Sequence, residues 1–402
     1  MNGASRLALA ALQVAALACS SGGGDAPPGG ASAAPTEVAA KGPVVAAAEE
    51  TTPVASSSAE AAREPTVPIP AGRFHAGSVP GDLGRDAVLE PAELELELGA
   101  FDIDRLPYPN ELGAPPKRGV KRSEAAKLCE ARGRRLCTEL EWERACKGPA
   151  ETAYPGSQGA DPRCASEPEK CASGFGVLAM GSLREWTASD VAELAGLVPK
   201  GAAVRGAAKG SAEVDRRCAK RASVAPEAEA EDIGFRCCGG EASAASIPAP
   251  EKKPVWQKTK LSAETLGEML ATVPQLRKLE GKPKYFDEAV VKDVLLRGKV
   301  EDAKGYTLTT EPLLWRPVPG EEILLVTARV GDDTIVVAFH RLPGDRHRLG
   351  SSLVLKKEPA AAVLAYDTSV DARLEWATCW KCPGEAGRIT YRDRGRVVIT
   401  QE

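Results

Sequence analysis

Histidine is nearly missing from this chain: His75, His340 and His347 are the only three in 402 residues. They stand in separate contexts, so no Ser/His/Asp set is expected, and neither a phosphate loop nor a nucleophile elbow occurs. Aromatic residues make up only 4 %, although 43 % hydrophobic residues still suffice for a core. No charge of one sign dominates. The 52 Lys and Arg against 56 Asp and Glu leave a net charge of −4, so nothing global attracts nucleic acid and none is expected as a partner. Beyond the N-terminus no stretch reaches the roughly 18 apolar residues of a membrane span. Collagen, a coiled coil and a fully disordered chain are excluded by the same composition.

Glycine, proline and cysteine are abundant, at 39, 31 and 11. Eleven cysteines are too many for a reducing cytosol unless metals hold them, and an odd number leaves one outside any internal disulfide. The N-terminus suggests which. Residues 7–18 are apolar apart from Gln13 and end in Ala16-Leu17-Ala18-Cys19. This is of signal-peptide length and too short for a stable span. Small residues before a cysteine resemble the bacterial lipoprotein signal, in which Cys19 carries the lipid; Ala16 stands where Leu is usual. The expected location is the bacterial cell envelope, with the protein exported, lipid-anchored through Cys19, and on the outer membrane or facing the periplasm. Export makes disulfides the default for the other ten cysteines.

Residues 20–66 are almost wholly Gly, Ala, Pro, Ser, Thr and Glu, and read as a disordered tether that reaches roughly 40 Å. A first domain is expected over 67–241, a linker over 242–253 and a second domain over 254–402. In the first, Glu93–Leu98 alternates strictly and predicts a strand with three leucines on one face. Helices are predicted from Ser123 to Arg132 and, by the capping box Thr138-Glu139-Leu140-Glu141, from Glu139 to Gly148. Residues 150–240 read as Gly-rich loops with few regular elements. In the second domain, helices are predicted over 262–279 and 286–297, then strands at 323–330, 334–341, 353–357, 362–366, 374–378, 388–392 and 396–400. The fold class is therefore α+β, with a mainly antiparallel sheet in the C-terminal domain.

Several blocks carry a resemblance: Ile69-Pro70-Ala71-Gly72-Arg73-Phe74, Ser123 to Lys147, Met180 to Thr187, Val204-Arg205-Gly206, Arg217-Cys218-Ala219-Lys220-Arg221 and Ile233 to Cys237. In this order they resemble the formylglycine-generating enzyme family, the sulfatase-modifying factor domains. The resemblance implies a loop-rich, C-type-lectin-like domain held by disulfides. It also implies copper and oxygen chemistry on a substrate cysteine, with copper held by two cysteines just upstream of the R-C-A-x-R block. Soft thiolates suit Cu(I), yet no cysteine lies between Cys171 and Cys218. The domain is therefore expected to be non-catalytic, with no cofactor.

The family's disulfides imply Cys129 with Cys237 and Cys146 with Cys218. Cys137 and Cys238 sit beside those positions and are expected as a third bridge, with Cys164 and Cys171 as a local fourth; metal ligation by some of these thiols is the alternative. Calcium near the G-N-x-x-E-W block is common in the family. Here Ser182 replaces the Asn, leaving Glu185 as a calcium candidate or as a buried partner of an arginine beside Trp186. Glu141 is assigned to the helix cap, and Glu139 and Glu143 to a solvated face. Cys379-Trp380-Lys381-Cys382 is a disulfide-closed turn, a redox pair, or half of a zinc site with His340 and His347. The chain thus reads as an envelope lipoprotein whose first domain is a binding or structural module, with an envelope protein or peptide as partner. The alternatives are an oxidase with a displaced metal site and a thiol–disulfide protein using the C-terminal CxxC.

Overall fold

The computed structural model describes residues 66–251, 253–300, 306–366, 373–392 and 395–402. The signal segment, Cys19 and the tether up to residue 65 lie outside the described residues. None of the helices is long and apolar enough to cross a membrane, among the described residues.

The described residues open on two short strands. Pro70 and Ala71 separate Thr66–Ile69 from Gly72–Ala76, and the two join different sheets. The first lies at the edge of a four-stranded antiparallel sheet with Phe101–Asp104, Cys237–Gly239 and Arg135–Leu136, in that order. The second pairs with Leu94–Leu98. There Leu94, Leu96 and Leu98 face inward to varying depth while Glu95 and Glu97 are exposed, as the period of two requires.

Helix α1 spans Arg122–Glu130 and helix α2 Glu139–Lys147. Ser123 does not cap α1; Lys121 stands at that position without a side-chain bond. The capping box of α2 is complete, with Thr138 accepting from the Glu141 amide and Glu141 from the Thr138 amide. Gly148 closes α2 at φ 69°, a region that favours glycine.

Residues 150–240 are more regular than the sequence suggests. Arg221–Val224, Gly201–Arg205, Arg184–Val191 and Ile233–Phe235 form a second four-stranded sheet, whose last pair is parallel. Every residue of Gly201–Arg205 is buried. A strand buried on both faces shows no alternation, so its signal is invisible to a pattern of period two.

The C-terminal half has two antiparallel sheets. One contains Trp256–Lys258, Leu313–Trp315, Ile323–Val330, Asp333–Arg341 and His347–Leu355, with Pro283–Tyr285 pairing onto Ile323–Val330. The other contains Tyr306–Thr309, Ala362–Tyr366, Arg373–Ala377, Ala386–Arg392 and Arg396–Ile399. Along Ile323–Val330 the two faces divide cleanly. Ile323 and Leu325 pack with Leu374, Trp376 and Ile389 of the second sheet. Leu324, Val326 and Ala328 pack with Leu266, Met269 and Leu270 of the helix Ala263–Ala271. That helix is shorter than the predicted 262–279. Pro274 has no amide hydrogen and disfavours helical backbone before it, so turns carry Val273 and Leu276 into the same core. The predicted 286–297 helix spans Ala289–Arg297, and the strand predicted at 353–357 runs from His347 to Leu355 with a bulge opposite Ala338 and Phe339.

Candidate functional site

Helix α2 is buried along its whole length, charged residues included. This corrects the reading of Glu139 and Glu143 as a solvated face. Their partners come from distant strands. Glu139 accepts from Arg221 at 2.6 and 2.8 Å and from Arg205 at 3.0 Å. Glu143 accepts from the Gly77 amide at 2.6 Å and pairs with Arg205 and Lys147 at 3.0 Å. Glu141, besides capping α2, holds Arg135 through two bonds of 2.8 Å. Burial works against the Arg205 charge, but Glu143, Glu139 and Glu90 outweigh it and keep the guanidinium more firmly protonated than usual.

The R-C-A-K-R block is tied to this helix by Cys218 and Arg221 and to its surroundings by Arg217 and Ala219. Arg217 donates to Glu90 at 2.7 and 2.9 Å. Cys218 is bonded to Cys146 of α2. The Ala219 carbonyl accepts from Arg205, and Arg221 reaches Glu139. Gly206, at φ 85°, has room for no side chain, since a Cβ there would lie 2.2 Å from the Leu183 carbonyl oxygen.

Glu185 is fully buried. It accepts from Arg236 at 2.6 and 2.8 Å and from the Trp142 indole at 3.0 Å, while Trp186 donates to the Val120 carbonyl. Both carboxylate oxygens thus face protein donors and its charge is neutralised by Arg236. The geometry is a buried ion pair, not the calcium ligand offered as the alternative.

The ten cysteines among the described residues form five disulfides: Cys129–Cys237, Cys137–Cys238, Cys146–Cys218, Cys164–Cys171 and Cys379–Cys382. None offers a free thiolate. Among the described residues the one cluster with metal-ligand spacing is Asp161, Cys164 and Cys171, and its two sulfurs are bonded to each other. The copper that the family resemblance implies does not fit this donor set. The zinc grouping of Cys379, Cys382, His340 and His347 is not assembled either: Cys379 and Cys382 are bonded to each other, and these four do not gather with metal-ligand spacing among the described residues.

Beside the R-C-A-K-R block lies a cavity of about 470 Å³, with His75, Asp82, Glu93, Glu151, Tyr154 and Arg217 among its walls. Burial pushes the Tyr154 phenol above its usual ionisation range, partly offset by Arg217. A larger groove of about 680 Å³ runs between Val88, Pro91 and Val198 on one side and Pro317 and Pro343 on the other. Its walls are mainly apolar and its arginines are paired, Arg316 with Glu322 and Arg341 with Asp345. The smaller cavity is the candidate site because polar groups converge on it. Sequence reasoning missed Asp82, Glu151 and Tyr154, which occupy loops and turns without any motif, and read Glu93 only as the first residue of a strand that begins at Leu94.

Residues 107–239 match the family model of the sulfatase-modifying factor enzyme 1-like domain. Solved structures similar to this chain include the following two. PvdO from Pseudomonas aeruginosa is 19 % identical, with 43 % of this chain and 93 % of that one covered, at a TM-score of 0.32. Variable protein 1 of Treponema denticola is 14 % identical, with 43 % and 94 % covered, at 0.33. No curated protein matches the chain.

Proposed function

We propose that this chain, which carries a sulfatase-modifying factor enzyme 1-like domain at residues 107–239, is a lipid-anchored protein of the bacterial envelope whose domain binds rather than catalyses. One observation supports this reading above the others: each of the eight cysteines from Cys129 to Cys238 is in a disulfide. Soft thiolates are the ligands that suit a cuprous ion, and the copper chemistry that the family resemblance implies would need a free pair of them. What the sequence keeps of the family blocks serves the scaffold, through the arginine and glutamate pairs around α2. Cys19 is the lipid attachment site, and residues 20–66 present the domain away from the membrane. The partner is an envelope protein or peptide.

Two measurements test this. The purified full chain is expected to bind no stoichiometric Cu(I) and to leave a Cys-x-Pro-x-Arg peptide unmodified; aldehyde formation on that peptide would refute the reading. Cys19→Ala is expected to release the protein from membranes, and unchanged membrane partitioning would refute the anchor. The second reading, a thiol–disulfide role, draws on the half-buried Cys382 beside the buried Cys379. Reactivity of these two toward a thiol label under native conditions would favour it.

A further inference from the structure

The larger groove, of about 680 Å³, is built from a narrow set of residue types. Its walls contain only aliphatic, proline, glycine and charged residues; no hydroxyl, amide or aromatic side chain is among them. Seven of the lining residues are prolines, which donate no amide hydrogen. Val88, Leu89, Leu194, Val198, Val318 and Leu342 supply apolar surface. A sugar or an extended peptide laid here would leave polar groups without partners, which is costly. An alkyl chain has none to satisfy and gains from every methylene taken out of water.

The charges in these walls are of two sorts. Glu90 with Arg217, Glu321 with Arg85 and Arg221 with Glu139 are closed, buried pairs. The other cations meet at one carboxylate. Glu322 lies 2.8 Å from Arg316, 3.1 Å from Arg341 and 3.5 Å from Lys253. Burial works against the Glu322 charge, but Arg316, Lys253 and Arg341 outweigh it and hold the carboxyl below its usual range. The remaining anions, Glu251 beside Lys253 and Asp345 beside Arg341, have side chains 81 % and 83 % exposed. Water and salt screen them, and such exposed pairs are weak. At the wall itself three cations thus share one carboxylate, and the local charge is positive.

We propose that this groove binds a single-chain anionic amphiphile, a long-chain fatty acid. Its alkyl chain lies along the aliphatic and proline walls, and its carboxylate is received by Arg316, Arg341 and Lys253. The groove shares no lining residue with the cavity beside Arg217. Residues 87–92, the linker from Ile247 to Lys253 and the C-terminal segments Arg316–Glu322 and Arg341–Asp345 build it together. The site therefore goes beyond the reading of the family domain as a binding module and does not depend on it.

The test is titration calorimetry of the exported full chain carrying Cys19→Ala and kept free of detergent, so that no other alkyl chain competes. Dodecanoate, below its micelle concentration, is expected to bind as a single molecule. Decanoate and octanoate should bind more weakly, by up to about fourfold per methylene removed. Dodecanol and dodecyltrimethylammonium carry the same chain without an anion. Both should bind at least about tenfold more weakly than dodecanoate, as loss of a charged hydrogen-bond partner implies. Arg341→Gln with Lys253→Gln is expected to weaken dodecanoate and leave dodecanol unchanged, a split that a merely structural role would not produce. Val318→Asp, at a half-buried position, should weaken dodecanoate and dodecanol alike. Asp345→Asn should tighten dodecanoate by up to about fivefold, the value of an exposed pair. No binding of dodecanoate, equal affinity for the three head groups, or affinity independent of chain length would overturn the proposal. So would unchanged dodecanoate binding in the Arg341→Gln and Lys253→Gln double variant, or weaker binding in Asp345→Asn with native circular dichroism. Such failure leaves the binding-module reading standing, because that rests on copper binding and peptide oxidation.

Discussion

Arg85 and Glu321 lie 2.7 Å apart with both side chains fully buried, and they join residues far apart in sequence, one in the domain that carries four disulfides and one in the C-terminal half. Arg85 also donates to the carbonyls of Glu90 and Gly320. Glu321 is shared with the His340 ring at 2.8 Å and with the Tyr391 hydroxyl at 3.4 Å. Through Glu90 the same cluster continues to Arg217 and Ser78.

Removing one member of the pair should therefore be costly. Glu321→Gln or Arg85→Met is expected to lower stability by about 3–5 kcal/mol, the cost of a stranded buried charge. The double change Arg85→Met with Glu321→Leu should recover much of that loss, because no charge is left unpaired. Denaturant titration of the three variants measures it; a double variant as unstable as the sum of the singles would contradict it.

The disulfides Cys129–Cys237 and Cys137–Cys238 hold the same two segments. With one intact, opening the other frees a loop of only about ten residues. Cys129→Ala with Cys237→Ala should then cost about 3 kcal/mol, rather than the nearly 5 kcal/mol that chain entropy assigns to a loop of about a hundred residues. Chemical denaturation of the full chain under oxidising conditions decides between the two values.

Thr138→Ala removes the acceptor for the Glu141 amide at the start of α2. A loss of about 1 kcal/mol is expected. Thr138→Ser, which keeps the oxygen, should lose much less, and thermal melts of both variants separate the cap from mere side-chain packing.

Three tyrosines should titrate late. Burial penalises their phenolate forms: it pushes Tyr285 up to about 12 and raises Tyr154 and Tyr391 as well, the last further opposed by Glu321. The neutral phenol is the favoured form in the fold. Its stabilising effect is complete below the usual phenol range near 10 and is lost as the pH climbs through the raised values. Absorbance at about 295 nm should show a late phenolate wave coinciding with unfolding; complete ionisation near pH 10 with the fold intact would contradict this.

Legibility from sequence followed the range of the interactions. The Thr138–Glu141 box, the Leu94–Leu98 alternation and the hairpin of Ile323–Val330 with Asp333–Arg341 depend on neighbours a few residues away, and the sequence displays them. The all-buried strand Gly201–Arg205 lacks a periodic signal. The end of the helix at Ala271 was readable in Pro274, whereas the apolar pattern continued past it because Val273 and Leu276 remain in the core.

The sequence by itself determined that this is an α+β chain rich in cysteine, with ordered family blocks and no cysteine pair where copper would need one. Tertiary structure alone decided the fate of the charges. Glu139 and Glu143 on a short helix look solvated, because a local window contains neither Arg205 nor Arg221, 66 and 82 residues beyond Glu139. The cavity likewise exists only where loops bearing Asp82, Glu93 and Glu151 meet. Ion pairing depends on distance in space, and distance along the chain does not report it.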